Sequence, residues 1–216
     1  RKMTKIYRLI ALCAIALLMC GEAFADSKWG VCGGFNFNNV RFNQDMLTTD
    51  FQTQKVTEWG MGGQVGVFGE LDFPGVGFGV DASLLYSTYG AKCHLGKFPV
   101  WSSDGVPAEF TYRTHNIEIP LDLLFKYRNL DGLEHIIAPM AFAGPSFTFC
   151  VADNTEAIKT NTIDVTIHAG IGCELFDRAQ LRVQYYFGVS TLCKTIKLDG
   201  LNAKRRGVAV RLIYFF

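Results

Sequence analysis

Residues Tyr112 to Tyr127, YRTHNIEIPLDLLFKY, alternate with a period of two: Ile117, Ile119, Leu121, Leu123, Phe125 and Tyr127 fall on one face, Asn116, Glu118, Asp122 and Lys126 on the other. A period of two belongs to a β-strand, whose successive side chains point to opposite faces. Here an unbroken apolar stripe lies opposite charges of both signs. Working outward, the same pattern recurs over Trp29–Asn38, Trp59–Leu71, Val76–Thr88, His135–Phe149, Ile163–Leu175, Leu181–Thr191 and Val208–Phe216. The polar faces of these segments carry Gln64, Glu70, Asp81, Ser83, Ser87, Asp164, Thr166, His168, Glu174, Arg182, Gln184 and Ser190.

Alternation by itself fits either a soluble sandwich or a membrane barrel. The connections discriminate between them. Stretches 40–58, 89–111, 150–162 and 191–206 are long, whereas 72–75, 128–134 and 176–180 are tight and carry turn residues such as Pro74-Gly75 and Asp177-Arg178. Short turns on one side and long loops on the other are the pattern of outer-membrane barrels. Beyond the first 25 residues no apolar run reaches the roughly 18 residues a spanning helix requires, so any crossing must be made by strands. Val208, Val210, Leu212, Tyr214 and Phe216 form an outward apolar face that resembles the C-terminal signal of outer-membrane barrels. That resemblance implies recognition by the barrel assembly machinery through Tyr214 and Phe216.

The first 25 residues read as an address. Arg1, Lys2, Lys5 and Arg8 form a basic region, an apolar stretch from Leu9 to Cys20 follows, and Ala23-Phe24-Ala25 supplies small side chains at the two positions a signal peptidase must accommodate. Cleavage is expected after Ala25. A lipoprotein signal at Cys20 is disfavoured by the bulk of Met19. The expected organisation is therefore a signal peptide over residues 1–25 and one all-β domain over 26–216. That domain is a single antiparallel transmembrane barrel of about eight strands, with both termini in the periplasm.

Glu118-Ile119-Pro120-Leu121 followed by Lys126-Tyr127 resembles the EIPL…KY segment of the PorT-like outer-membrane β-barrel family. Gly144-Pro145-Ser146, Gly170-Ile171-Gly172-Cys173-Glu174 and Tyr185-Tyr186-Phe187-Gly188 sit where that family has its GP, GxGxE and YxxGL-type elements. Val189 and the cysteine-bearing loops depart from its pattern. The resemblance implies a small barrel in the outer membrane, without a defined activity; the secretion role of the name-giving member does not carry over on these motifs.

Chemistry has little to stand on. Lys plus Arg (21) nearly balance Asp plus Glu (20), which offers no field to gather nucleic acid. No Gly-x-Ser-x-Gly, His-Glu-x-x-His or Cys-x-x-Cys occurs, and His94, His115, His135 and His168 are scattered. The glycines of 60–66 and 75–79 do not precede a helix, so they serve strand curvature rather than phosphate binding. His94 with Cys93 is too few ligands for a metal site. No enzyme activity, cofactor or metal is expected. Glu118, Asp122, Lys126, His168, Glu174, Arg182 and Arg211 are expected to line the lumen as a charge network, because an eight-stranded interior is just filled by side chains. Pro120 should fall at a bulge or an unpaired point of its ladder.

Of the five cysteines after residue 25, Cys32 and Cys173 lie within strands and read as free; one disulfide among Cys93, Cys150 and Cys193 is expected. The expected role is structural or loop-mediated binding, with outer-membrane lipid around the barrel and a protein or surface ligand at the loops. Phe51, Phe98, Trp101 and Phe110 are the loop aromatics best suited to contact, or to a lipid-interface belt. The alternative is a narrow pore or transporter, or a secretion-associated component. The mature chain should migrate differently on an SDS gel before and after boiling, and protease applied to intact cells should cut only in the four long loops. A stable, detergent-free soluble monomer would overturn the barrel.

Overall fold

The computed structural model describes residues 26–42, 57–73, 77–94, 110–127, 136–154, 158–195 and 202–216. Residues 1–25, including Ala23 and Ala25, lie outside them, as do Phe51, Phe98, Trp101 and the side chain of Phe110.

The described residues form ten strands, β1 (Asp26–Phe42), β2 (Thr57–Asp72), β3 (Phe78–Cys93), β4 (Phe110–Lys126), β5 (Ile137–Asp153), β6 (Ile158–Thr160), β7 (Ile163–Leu175), β8 (Ala179–Gly188), β9 (Cys193–Thr195) and β10 (Asn202–Phe215). Eight of them form an antiparallel ring in the order β1-β2-β3-β4-β5-β7-β8-β10. The ring closes through a β1–β10 ladder running from Gly30 against Phe215 to Phe42 against Ala203. Strands β6 and β9 are a small ribbon outside the ring: β9 pairs with the start of β10, and β6 pairs with β9.

The alternation holds around the ring. Trp29, Val31, Phe35, Val65, Leu84, Leu123, Ile171 and Val183 are exposed on the outside, with Ile171 at 70% and Leu123 at 57% of full exposure, while the charged positions between them are buried. A soluble monomer rarely leaves so continuous an apolar surface uncovered. Hydrocarbon is the solvent that suits it.

The strands outrun their sequence signal. The eighth segment, expected from Val208, starts at Asn202; the third, expected to stop at Thr88, continues to Cys93; and β6 and β9 occupy parts of stretches expected as loops. The physical reason is length. Seventeen residues such as β4 extend about 55 Å, and even tilted by about 40° they rise well beyond an apolar band about 25 Å tall. Past that band the outer face meets water and need no longer be apolar, so the alternation of residue type lapses although the backbone ladder continues and the inner face stays buried. The seventh segment differs in the other direction, running from Ala179 and ending at Gly188 rather than Thr191.

Turn chemistry is also displaced by one residue. The β7–β8 turn is centred on Phe176 and Asp177, both with positive φ (53° and 55°), and Arg178 N donates to the Leu175 carbonyl at 3.1 Å. Two consecutive left-handed residues make the primed turn that matches strand twist. The tight connection expected at 176–180 is thus present, with Asp177 of the expected Asp177-Arg178 pair at one central position and Phe176, a rare occupant of that region, at the other.

Pro120 interrupts the ladder as a residue without an N–H must. Register pairs between β3 and β4 run up to Ala82–Leu121 and resume at Leu85–Glu118, skipping Ile119 and Pro120. Next to this gap the β4–β5 ladder skips Leu121 and Asp122 against Gly144 and Pro145. Gly144 faces inward there, and a Cβ on it would run into the Leu121 carbonyl oxygen and stand 2.9 Å from Asp122 Oδ1. Gly63, in contrast, would place its Cβ 3.9 Å from the nearest atom, an ordinary contact. Gly144→Ala should therefore lower stability in detergent by about 1–3 kcal/mol, as overpacking does, and Gly63→Ala should leave the urea midpoint unchanged. Equal midpoints for the two variants would show that the close approach at Gly144 is not a constraint.

Candidate functional site

Within the height of the apolar wall the lumen is where this fold buries its charged residues, and they assemble there into two layers. Towards the turn end, Lys126 Nζ contacts Glu70 and lies 2.6 Å from Glu174 Oε2 and 3.3 Å from Asp72 Oδ2. Lys28 Nζ donates to the other oxygen of Glu174 at 2.7 Å. Gln180 Nε2 bridges Glu70 and Glu174 at 2.8 Å each. Arg182 donates from Nη1 to Asp81 at 2.8 Å and from Nε to Gln180 Oε1 at 2.9 Å, with Nη1 also 3.7 Å from Asp122. Its guanidinium is flanked by the rings of Phe68 and Phe142, each 4.7 Å from centroid to carbon. His168 Nε2 contacts Asp122 Oδ1, so this carboxylate joins the layer from the β7 side.

Towards the loop end, Glu118 accepts from the Tyr89 hydroxyl and, at 2.8 Å, from Ser146 Oγ, and Arg211 Nη2 stands 4.0 Å away. Arg205 Nη2 reaches Asp164 at 2.7 Å and donates to Thr148 Oγ1 at 2.9 Å, with its guanidinium 4.1 Å from the centre of the Tyr89 ring. Ser190 Oγ donates to the second Asp164 oxygen at 2.6 Å, and Tyr186 donates to Asn38.

Glu118, Asp122, Lys126, His168, Glu174, Arg182 and Arg211 all point inward and are buried. Lys126 and Glu174 meet directly, as do Asp122 and His168; Arg182 links them to the same layer, whereas Glu118 and Arg211 belong to the other. Sequence reading left out Glu70 and Asp81, which it had placed on the polar faces, and it missed Asp72, Lys28 and Arg205 because these fall in stretches taken as a turn, a lead-in and a loop. Parity could have found two of them. Asp72 continues the even-numbered inward series Gln64–Glu70 of β2, and Arg205 continues the odd-numbered series of β10 that contains Arg211.

Tyr214 and Phe216 stand outward at the turn end with ring centroids 6.2 Å apart, and Phe216 N donates to the Trp29 carbonyl at 3.0 Å. Phe215 between them turns inward against Phe68. The expected disulfide is not formed. Cys93 and Cys150 are free thiols, as are Cys32 and Cys173, and the side chain of Cys193 lies outside the described residues. Cys93 is buried at the inner wall where β3 pairs with Phe110 of β4 and Thr57 of β2, so ladder geometry rather than oxidation decides its direction. Cys32 packs with Phe68, Leu85, Ile213 and Phe215 as an apolar filler. His94 Nε2 lies 3.7 Å from Glu58, and among the described residues no group of three or more His, Cys, Asp or Glu is arranged to hold a metal ion.

Similar solved structures include Ail of Yersinia pestis (11% identity, covering 89% of this chain and 100% of that one, TM-score 0.47), Neisserial surface protein A (10%, 89% and 100%, 0.48) and OprG of Pseudomonas aeruginosa (13%, 89% and 95%, 0.48). No curated protein matches in sequence. The profile of one family, described as the outer membrane protein beta-barrel domain, matches residues 24–194, which takes in every ring strand except β10. With the closed ring and its lipid-facing apolar wall, that match assigns the chain to the outer membrane protein beta-barrel domain family.

Proposed function

We propose that this outer-membrane chain is a small closed barrel of the PorT-like kind, in which the lumen is a structural plug and the biological role belongs to the connections at the loop end. The observation that carries this reading is Arg182. Its guanidinium lies between two aromatic rings from β2 and β5 and is tied to Asp81 on β3, so one side chain from β8 reaches across the lumen to three other strands. An eight-stranded ring has an interior only about as wide as its own side chains. With the Lys126 cluster on one side of Arg182 and the Glu118–Arg211 group on the other, little cross-section is left for a solute.

The buried charges are spent on one another, which supports a non-enzymatic role. In the proposed orientation the tight turns and both termini face the periplasm and the four long connections face outward. Residues 1–25 direct export and are cleaved after Ala25, and Tyr214 and Phe216 engage the assembly machinery. A rigid scaffold presenting variable loops suits binding of a protein or surface ligand.

Purified protein in a planar bilayer should be electrically silent. Discrete conductance steps would replace the plug with the narrow-pore reading. Lys126→Met removes the cation shared by Glu70, Asp72 and Glu174, and breaking a buried ion cluster on one side costs about 3–5 kcal/mol. Its urea midpoint in detergent should fall accordingly, and adding Glu70→Gln and Glu174→Gln should recover much of the loss. A Lys126→Met barrel as stable as the wild type would remove the structural role of the network.

A further inference from the structure

Three cations stand together on the lipid-facing side of the ring, at the end where the hydrocarbon-covered wall stops. Arg41 of β1 and Lys204 of β10 are direct register partners, and Arg206 pairs with Asn39 one inter-residue repeat further down the same ladder. Arg41 and Lys204 are exposed. All three share the outward parity of Phe35 and Phe37 on β1 and of Leu212 and Tyr214 on β10, opposite to the inward Arg205 and Arg211. Neighbouring strands are about 4.8 Å apart and alternate residues of one strand about 6.6 Å, so three positive charges crowd one small area of wall.

That arrangement is unfavourable unless something answers it, since like charges directly across a ladder destabilise it. Among the described residues nothing does so: none of the three is ion-paired, and Arg206 Nε lacks a hydrogen-bond partner. Arg206 is instead held by Trp59 of β2, its guanidinium 5.9 Å from the ring centre. An outward Trp at the edge of an apolar band lies at the headgroup level of the bilayer. Trp59 thus fixes the depth of the patch: it is too far out for acyl chains and level with the polar groups that terminate them. The backbone register adds two lysine positions next to it, with Lys194 of β9 opposite Asn202 and Lys159 of β6 opposite Lys194.

We infer that Arg41, Lys204 and Arg206, with Trp59 beside them, form a site on the outer wall for the phosphate groups of an outer-leaflet phosphoglycolipid. A dianionic phosphate has the charge and the acceptor oxygens to bridge two guanidinium groups and an ammonium. The sugar to which it is attached can stack on the indole, and the acyl chains continue down the wall over Phe37 and Val208. A headgroup rather than free phosphate is the fitting occupant because the patch is continuous with the apolar face that the chains cover. The inference rests on the orientation proposed above, with the long connections facing outward.

The test uses the full-length barrel, refolded and reconstituted in nanodiscs doped with phosphorylated lipid A or with enzymatically dephosphorylated lipid A. Native mass spectrometry then counts the lipid A retained. Wild type should retain the phosphorylated form, and Arg41→Ala/Lys204→Ala/Arg206→Ala should lose retention by roughly tenfold or more. Arg178→Ala, an exposed cation at the opposite end, should behave as wild type. Dephosphorylated lipid A should bind wild type no better than the triple variant, and millimolar inorganic phosphate should not compete. Undiminished retention by a triple variant that still shows the heat-dependent gel shift would overturn the inference and leave the orientation standing, as would equal retention of the two lipids; effective competition by inorganic phosphate would overturn the lipid as occupant. Protease on intact cells reads the orientation separately. If the long connections prove protected, the patch faces the inner leaflet and both readings fail.

Discussion

A peptide group without a partner costs several kcal/mol in hydrocarbon, so a sheet in a membrane can have no edge. In this chain the β1–β10 ladder meets that requirement. It joins the described strand nearest the N-terminus to the one that ends at Phe215, the pairing of largest sequence separation among the described strands, and it runs without a break from Gly30 to Phe42. Closure fixes what each face must be. Lipid takes one parity of every strand, and the other parity has nowhere to go but a lumen whose width the strand number sets.

The consequence is a protein with its polarity inverted. Apolar residues supply the interior of an ordinary domain; here they are needed on the wall, and the interior must be packed with what remains. The ion network follows from that shortage. Buried charge pairs gain little net stability over apolar packing because desolvation offsets attraction, but an apolar interior would give the strands two apolar faces and remove the pattern that sets their register. The network compensates for desolvation by geometry. Lys126 meets three carboxylates, Arg182 uses both its edge donors and its flat faces, and Glu118 accepts from both a phenol and a hydroxyl.

What could be read from the sequence follows the same physics. Inside the hydrocarbon band side-chain parity is dictated by the solvent on each face, and Glu118, Asp122, Lys126, His168, Glu174, Arg182 and Arg211 were all legible as inward from their neighbours alone. Outside the band that dictation ends. The extensions of β3 to Cys93 and of β10 back to Asn202 and the β6–β9 ribbon depend on backbone pairing, which leaves no periodic trace in residue type. The free thiols of Cys93 and Cys150 were illegible for a related reason, since which way a cysteine points at a rim is set by its ladder and not by the number of cysteines in the chain. Phe176 gives no turn signal of its own, because an aromatic residue in the left-handed region is held there by the hairpin around it.

The two ends of the wall differ in regularity, and the difference has a mechanical meaning. At the turn end the ladders between β1, β2 and β10 run without a shift, and the wall there closes on the dense layer around Lys126 and Arg182. Towards the loop end two ladders slip by one residue, between Trp59 and Gln64 on β2 and at His115–Asn116 on β4. A bulge adds local twist and re-aims the strand beyond it. At the β2 slip Thr88 on β3 takes up a glycine amide with its side chain, donated by Gly63 N at 2.9 Å, where the regular ladder has lapsed. β2 and β4 are therefore turned out of the register of one neighbour towards the loop end, while the ion layers below keep the ring from following. That separation between a fixed base and re-aimed strand ends lets loops vary without disturbing closure.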